Sequence, residues 1–154
     1  MSGAEIIGVV AAAAQFIDLG SRVVIGLSRF ISTLRDISPR IASTLASLQI
    51  FVELCRALKV RFEALPKRTI PTNVQVQIKG LFDACAADAV KLSLLLDEIA
   101  LKSSDGKLER SWKAVVGAKR ENNIVERCQR LERHKSTIIL LLQDQTLELG
   151  LQEL

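Results

Sequence analysis

The chain has 154 residues, a formal net charge of +4, and 49% hydrophobic, 25% charged and only 4% aromatic residues. That length suits a single domain of residues 1–154, and a composition this apolar with 8 Gly and 3 Pro excludes a disordered or collagen-like chain. With no tyrosine and one tryptophan, the core must come mainly from Leu, Ile, Val and Ala, as in a helical bundle.

Ser2-Gly3-Ala4-Glu5 reads as a capping box, so a helix is expected from about Gly3. Its apolar positions are Ile6, Val9, Val10, Ala13, Phe16 and Ile17, and the pattern resumes after Gly20 with Val23, Val24, Leu27, Phe30, Ile31 and Leu34. Gly20 is read as a kink or as a break between two helices, because Gly costs about 1 kcal/mol relative to Ala inside a helix. Ser38-Pro39 supplies an N-cap followed by Pro at the first helical position. The stripe Ile41, Leu45, Leu48, Val52, Cys55, Leu58, Phe62 and Leu65 then alternates three- and four-residue steps until Pro66.

A third long helix is expected from Thr72, with Ile78, Leu81, Phe82, Cys85, Ala89, Leu92, Leu96 and Ile99 at helical spacing, up to Ser103-Ser104-Asp105-Gly106. The alternation Val74-Gln75-Val76-Gln77-Ile78 is strand-like but short, and is read as its first turns. A short helix should carry Leu108, Trp112 and Val115 or Val116 and stop at Gly117 as a C-terminal cap. The last helix is expected from about Arg120 to Leu147, with Ile124, Cys128, Leu131, Ile138 and Leu142 on one side and Lys135 snorkelling at its edge. The fold class is therefore all-α, an antiparallel bundle of four long helices plus a short one.

Cys55, Cys85 and Cys128 are odd in number, far apart and each on an apolar stripe, so no disulfide framework is expected and a reducing, intracellular location follows. Residues 6–14 resemble the apolar part of a signal peptide, but nothing basic precedes them and Glu5 stands where a positive charge belongs. No uninterrupted run of about 18 apolar residues occurs, so no conventional membrane-spanning helix is expected.

The familiar chemistries find no residues. His134 is the only histidine and lies in a basic stretch, where a solvated surface role is expected. Neither zinc-ligand spacing nor a phosphate-binding glycine loop is present, and Asp97-Glu98 reads as a solvated acidic pair, so no enzymatic activity, metal or cofactor is expected. Between Lys107 and Lys135, nine Lys/Arg face four Glu. Glu121, Glu126 and Glu132 interleave with the arginines as ordinary surface ion pairs would, and Trp112 sits at core spacing rather than on a stacking platform, so nucleic acid is not the expected partner. Arg127, Arg130 and Arg133 are the candidate contacts to an anionic surface.

Residues 3–17 are apolar on nearly every side, which suits either a central bundle helix or a membrane-seeking one. Fifteen residues span only about 22 Å against a ~30 Å hydrocarbon core. Extended through Leu34 the helix would be long enough, with Asp18, Arg22 and Arg29 lining a polar interior or snorkelling, which requires several chains side by side.

The opening Met1-Ser2-Gly3-Ala4-Glu5-Ile6-Ile7-Gly8-Val9-Val10, the Asp105-Gly106 turn before Trp112-Lys113, and Leu131-Glu132-Arg133-His134-Lys135-Ser136 resemble the N-terminal domains of fungal NOD-like receptors of the SesA group, related to HeLo and HeLo-like cell-death domains. The likeness covers essentially the whole chain. It implies a HeLo-like effector that precedes a NACHT or NB-ARC nucleotide switch, here excised from it or served by one on another protein. It further implies a cytoplasmic domain acting in heterokaryon incompatibility, programmed cell death or innate immunity, which self-associates and is recruited to the plasma membrane on activation. Gly3, Glu5, Ile6, Gly8, Val9 and Val10 would form the membrane or assembly segment. The alternative is an interaction adaptor that relays its signal by homotypic helix packing, with no membrane step.

Overall fold

A computed structural model describes residues 2–33, 39–64, 70–103 and 117–152, with side chains described within 7–32, 39–64, 70–98 and 121–144. Among these residues all regular structure is helical: α1 (Ser2–Thr33), α2 (Pro39–Ala64), α3 (Thr72–Ser103) and α4 (Gly117–Gln152). Pro39 opens α2, where its fixed φ and missing amide hydrogen are harmless. At the start of α3 the Pro71 carbonyl accepts from the amides of Val74 and Gln75, both at 3.0 Å. The buried Gln75 side chain donates to the Ile70 carbonyl at 2.8 Å, fixing the chain's entry into the helix. The alternating segment from Val74 is thus helical, as its position suggests.

Two expected boundaries differ. Gly20 does not break the chain, because α1 runs through it as one helix of 32 residues. The last helix begins at Gly117 itself, so that glycine is helical rather than a terminating cap. The expected short helix around Trp112 lies outside the described residues, as do Ser38, Leu65 and Pro66.

The four helices occupy the corners of a square. α1 packs most extensively on α3 and then on α2, while α4 closes the far side against α3 and α2. Gly8 lies beside Lys79 and Gly26 beside Leu96, so α1 and α3 run parallel. Arg40 Nη1 donates to Asn122 Oδ1 at 3.3 Å, and Phe51 shares a groove with Leu131, so α2 and α4 also run parallel. Arg56 donates to Ser21, and the groove that continues from this pair is lined by Val24 and Ile25 of α1 with Gln49, Val52 and Glu53 of α2, so α1 and α2 run antiparallel. Consecutive helices alternate in direction, as the expected antiparallel bundle does, yet α2 and α3 stand on a diagonal and the largest interface joins two parallel helices.

The core is a single cluster. Phe16, Phe51 and Phe82 are fully buried at its centre, and the Phe16 and Phe51 rings meet at 4.9 Å with a 43° tilt, a favourable aromatic geometry. Around them lie Val9, Ala13, Val23 and Leu27 of α1, Ile41, Leu48 and Cys55 of α2, Ile78, Cys85, Ala89 and Leu92 of α3, and Ile124, Leu131 and Ile138 of α4. These follow the apolar stripes of the sequence. Phe51, Val74 and Val125 join the core from positions beside those stripes.

Gly20 is buried because α2 comes too close for a side chain: a Cβ there would stand 2.9 Å from Val52 Cγ2 and against the Phe16 ring. At Gly80, by contrast, a Cβ would meet nothing within 4 Å. Gly80→Ala is therefore expected to stabilise the fold by about 0.5–1 kcal/mol through helix propensity alone. Gly20→Ala should lose about 1 kcal/mol net, overpacking against a stiff β-branched neighbour outweighing the propensity gain. Urea denaturation followed by circular dichroism separates the two, and stabilisation by both changes would contradict the close approach.

Candidate functional site

The segment singled out from the sequence occupies the first turns of α1. Gly3, Glu5 and Ile6 are helical there, with side chains outside the described residues. Gly8 is half-buried under the aliphatic stem of Lys79, whose ammonium pairs with Asp83 at 2.8 Å. Val9 is buried in the core and Val10 partly so. The side chain that reaches solvent is Ile7, 70% exposed, which the sequence reading left out of the segment. Its helical phase was the available signal: steps of three and four carry Ile7 through Ala11, Gln15, Asp18 and Arg22 to Ile25, Arg29 and Ser32, all of them exposed.

α1 is thus neither central nor apolar on every side. It holds one corner, buries Val9, Ala12, Ala13, Phe16, Gly20, Val23, Leu27 and Phe30, and turns a stripe to water that is apolar at its start and charged beyond Asp18. Arg22 pairs with Asp18 at 3.2 Å on that outer face. By length and composition two helices could cross a bilayer, Ile7–Ser32 with mean hydropathy 1.5 and Pro39–Ala64 with 1.4. The sequence holds no uninterrupted apolar run of that length, and its scattered polar residues still leave both helices apolar enough on average to qualify by length and composition alone. Core helices satisfy the same criterion, and here both contribute heavily to the core.

The three arginines of α4 do not form one patch. Arg127 and Arg130 line a groove between α3 and α4 together with Lys91, Leu94, Leu95, Glu98, Asn123 and Glu126. Arg133 is exposed and lies outside it. The interleaved acids are not uniformly engaged: Glu132 pairs with Lys135 at 2.8 Å, which holds that lysine, only 19% exposed, at the edge of the apolar face.

His134 is not a solvated surface residue. Its side chain is 27% exposed, and Nε2 lies 3.4 Å from Oδ2 of Asp88, itself a nearly buried carboxylate on α3. The pair ties α3 to α4 one turn beyond the groove. Sequence reasoning missed it because Asp88 lies on the same helical face as Cys85 and Leu92, where an acid is unexpected.

A second groove between α2 and α4 is lined by Arg40, Ser43, Thr44, Ser47, Gln129 and Glu132 over a floor that includes Phe51 and Cys128. Among the described residues no three His, Cys, Asp or Glu side chains gather as a metal site would require. All three cysteines are free and buried. Burial pushes the Cys55 and Cys128 thiols from 9.0 up to about 12, and raises Cys85 too, with Cys55 and Asp88 adding to the shift.

Compared with known proteins, the chain matches no family model, no curated protein and no solved structure.

The thiols give a pH prediction. A raised folded-state value means the unfolded chain releases its thiol protons first, so stability should hold below pH 9 and fall as pH climbs toward 12. Urea midpoints measured across that range should decline less steeply in Cys55→Ala/Cys128→Ala than in the parent. An aromatic disulfide reagent at pH 8 should find no thiol in the native protein and three in urea.

Proposed function

We propose that this chain is an effector domain of the fungal NOD-like receptor kind, with a HeLo-like bundle, acting in programmed cell death or innate immunity by self-association and by delivering α1 to a membrane. What carries the reading is the design of α1: one unbroken helix of 32 residues whose span from Ile7 to Ile17 contains no ionisable side chain, placed at a corner with Ile7 and Ala11 already facing out. At 1.5 Å per residue it measures about 48 Å, more than a hydrocarbon core requires. Asp18, Arg22 and Arg29 would then lie on one face, which suits several copies lining a shared polar interior.

The energetics restrict the route. Freeing α1 exposes Val9, Phe16, Val23, Leu27 and Phe30, at roughly 1.5–3 kcal/mol each, a total comparable to the stability of a whole domain. α1 therefore does not leave spontaneously. Self-association supplies the compensating contacts, and the exposed apolar start makes first contact with lipid while the remainder stays packed. Arg127 and Arg130 in their groove and Arg133 on its own face supply the accompanying attraction to anionic headgroups. Helix-packing alone, as an adaptor without a membrane step, is the competing role.

Ile7→Glu separates these roles without disturbing the core, since the side chain is 70% exposed. Fused to an inducible oligomerisation module, the parent chain is expected to release dye from anionic vesicles, and Ile7→Glu to reduce that release about tenfold, since it replaces the apolar first contact with lipid, worth roughly 1.5–3 kcal/mol, by a charge. Equal leakage from both, or none from the parent once oligomerised, counts against membrane delivery.

A further inference from the structure

Five cations on the described surface sit in ion pairs. Arg22 is met by Asp18, Arg56 by Glu53, Lys59 by Glu63, Lys79 by Asp83 and Lys135 by Glu132. Lys91, Arg127 and Arg130 form no ion pair with any described residue, although all three line the α3–α4 groove and Glu126 lines it with them. Arg127 is the most telling. Its Nη1 is shut away from solvent without an acceptor. An unsatisfied buried donor on a charged group is costly, and the bundle bears that cost at a groove.

The groove encloses about 380 Å³, within the range of small-molecule sites and far more than one oxyanion fills. Its wall is divided. Leu94 and Leu95 offer apolar surface from α3, with Leu94 63% exposed, while Asn123, Arg127 and Arg130 bring donors from successive turns of α4. Glu98 and Glu126 reduce the local charge of the groove to one net positive. A compact anion met directly by two guanidinium forks and an ammonium would gain charge-assisted, directional hydrogen bonds.

We infer that the α3–α4 groove binds a phosphate monoester, its oxyanion held by Arg127, Arg130 and Lys91 and its organic carrier resting on Leu94 and Leu95. The carrier is either a soluble metabolite or the body of a lipid. Arg133, outside the groove, takes no part. The inference stands on the groove alone, so it survives a negative result in vesicle leakage, and leakage survives its failure.

The test uses the intact chain. Glycerol 3-phosphate is titrated against the ¹⁵N-labelled protein at constant ionic strength, with the arginine Nε–H resonances followed. Saturable shifts at Arg127 and Arg130 are expected, with chloride producing none. Arg130→Gln and Lys91→Gln, both at exposed positions, should each weaken binding about tenfold, and Arg133→Gln should leave it unchanged. Phosphatidylcholine vesicles doped with phosphatidic acid then distinguish the sources. Co-sedimentation of the parent but not of Arg130→Gln supports a lipid carrier, and saturable glycerol 3-phosphate binding without co-sedimentation supports a soluble one. Non-saturating shifts with no vesicle capture, or an equal loss in Arg133→Gln, would overturn the site.

Discussion

The structure depends on how closely α1 is allowed to approach its neighbours. Glycines at 8, 20 and 26 and alanines at 12 and 13 strip its inner face of bulk, so that the α3 side chains Lys79 and Leu96 and the α2 side chain Val52 lie directly over its backbone. Into the space that remains α1 inserts Phe16 against Phe51, and this pair sets the spacing of the square. Close-packed interiors transmit such constraints with little slack, so the position of α1 also fixes how α2 and α3 present their remaining faces to α4.

Those remaining faces differ in kind. α4 buries Ile124, Val125, Cys128, Leu131 and Ile138, but it is also held by polar contacts near its start and middle, Asn122 to Arg40 and His134 to Asp88. Its flanks leave open grooves on both sides, whereas α1 meets α3 closely, with Gly8 under Lys79 and Gly26 under Leu96. The bundle thus has a dense half, built around α1 and α3, and a looser half around α4 where cations without partners accumulate.

Much of the fold was legible because apolar periodicity is a direct consequence of helix geometry: the stripes from Ile41 to Phe62 and from Ile78 to Leu96 go into the core nearly as read. The break expected at Gly20 is absent for a physical reason. Propensity treats a helical glycine as a weakness, but here the cost is offset by an interface that no window along one helix contains. The candidate site was less legible. Ile7 is exposed while the similar Val9 is buried, which follows only from the corner that α1 occupies. Arg127 and Arg130 share a groove that excludes Arg133 because α3 lies over one flank of α4, and Asp88 meets His134 across the same interface. Charge patterning along a sequence records neighbours on the same helix. These relations are between helices.

The parallel pairing of α1 with α3 also dictates an order of events in biosynthesis. Gly8 and Lys79, like Gly26 and Leu96, are about seventy positions apart, so the largest interface is made late and at the expense of a long loop closure. While the polypeptide is being synthesised, α1 emerges with its chief partner not yet translated, and α2 alone cannot cover it. The nascent chain therefore passes through an interval in which its most apolar helix is bare, and a chaperone, a sister chain or a lipid surface that arrives then competes with α3 on favourable terms.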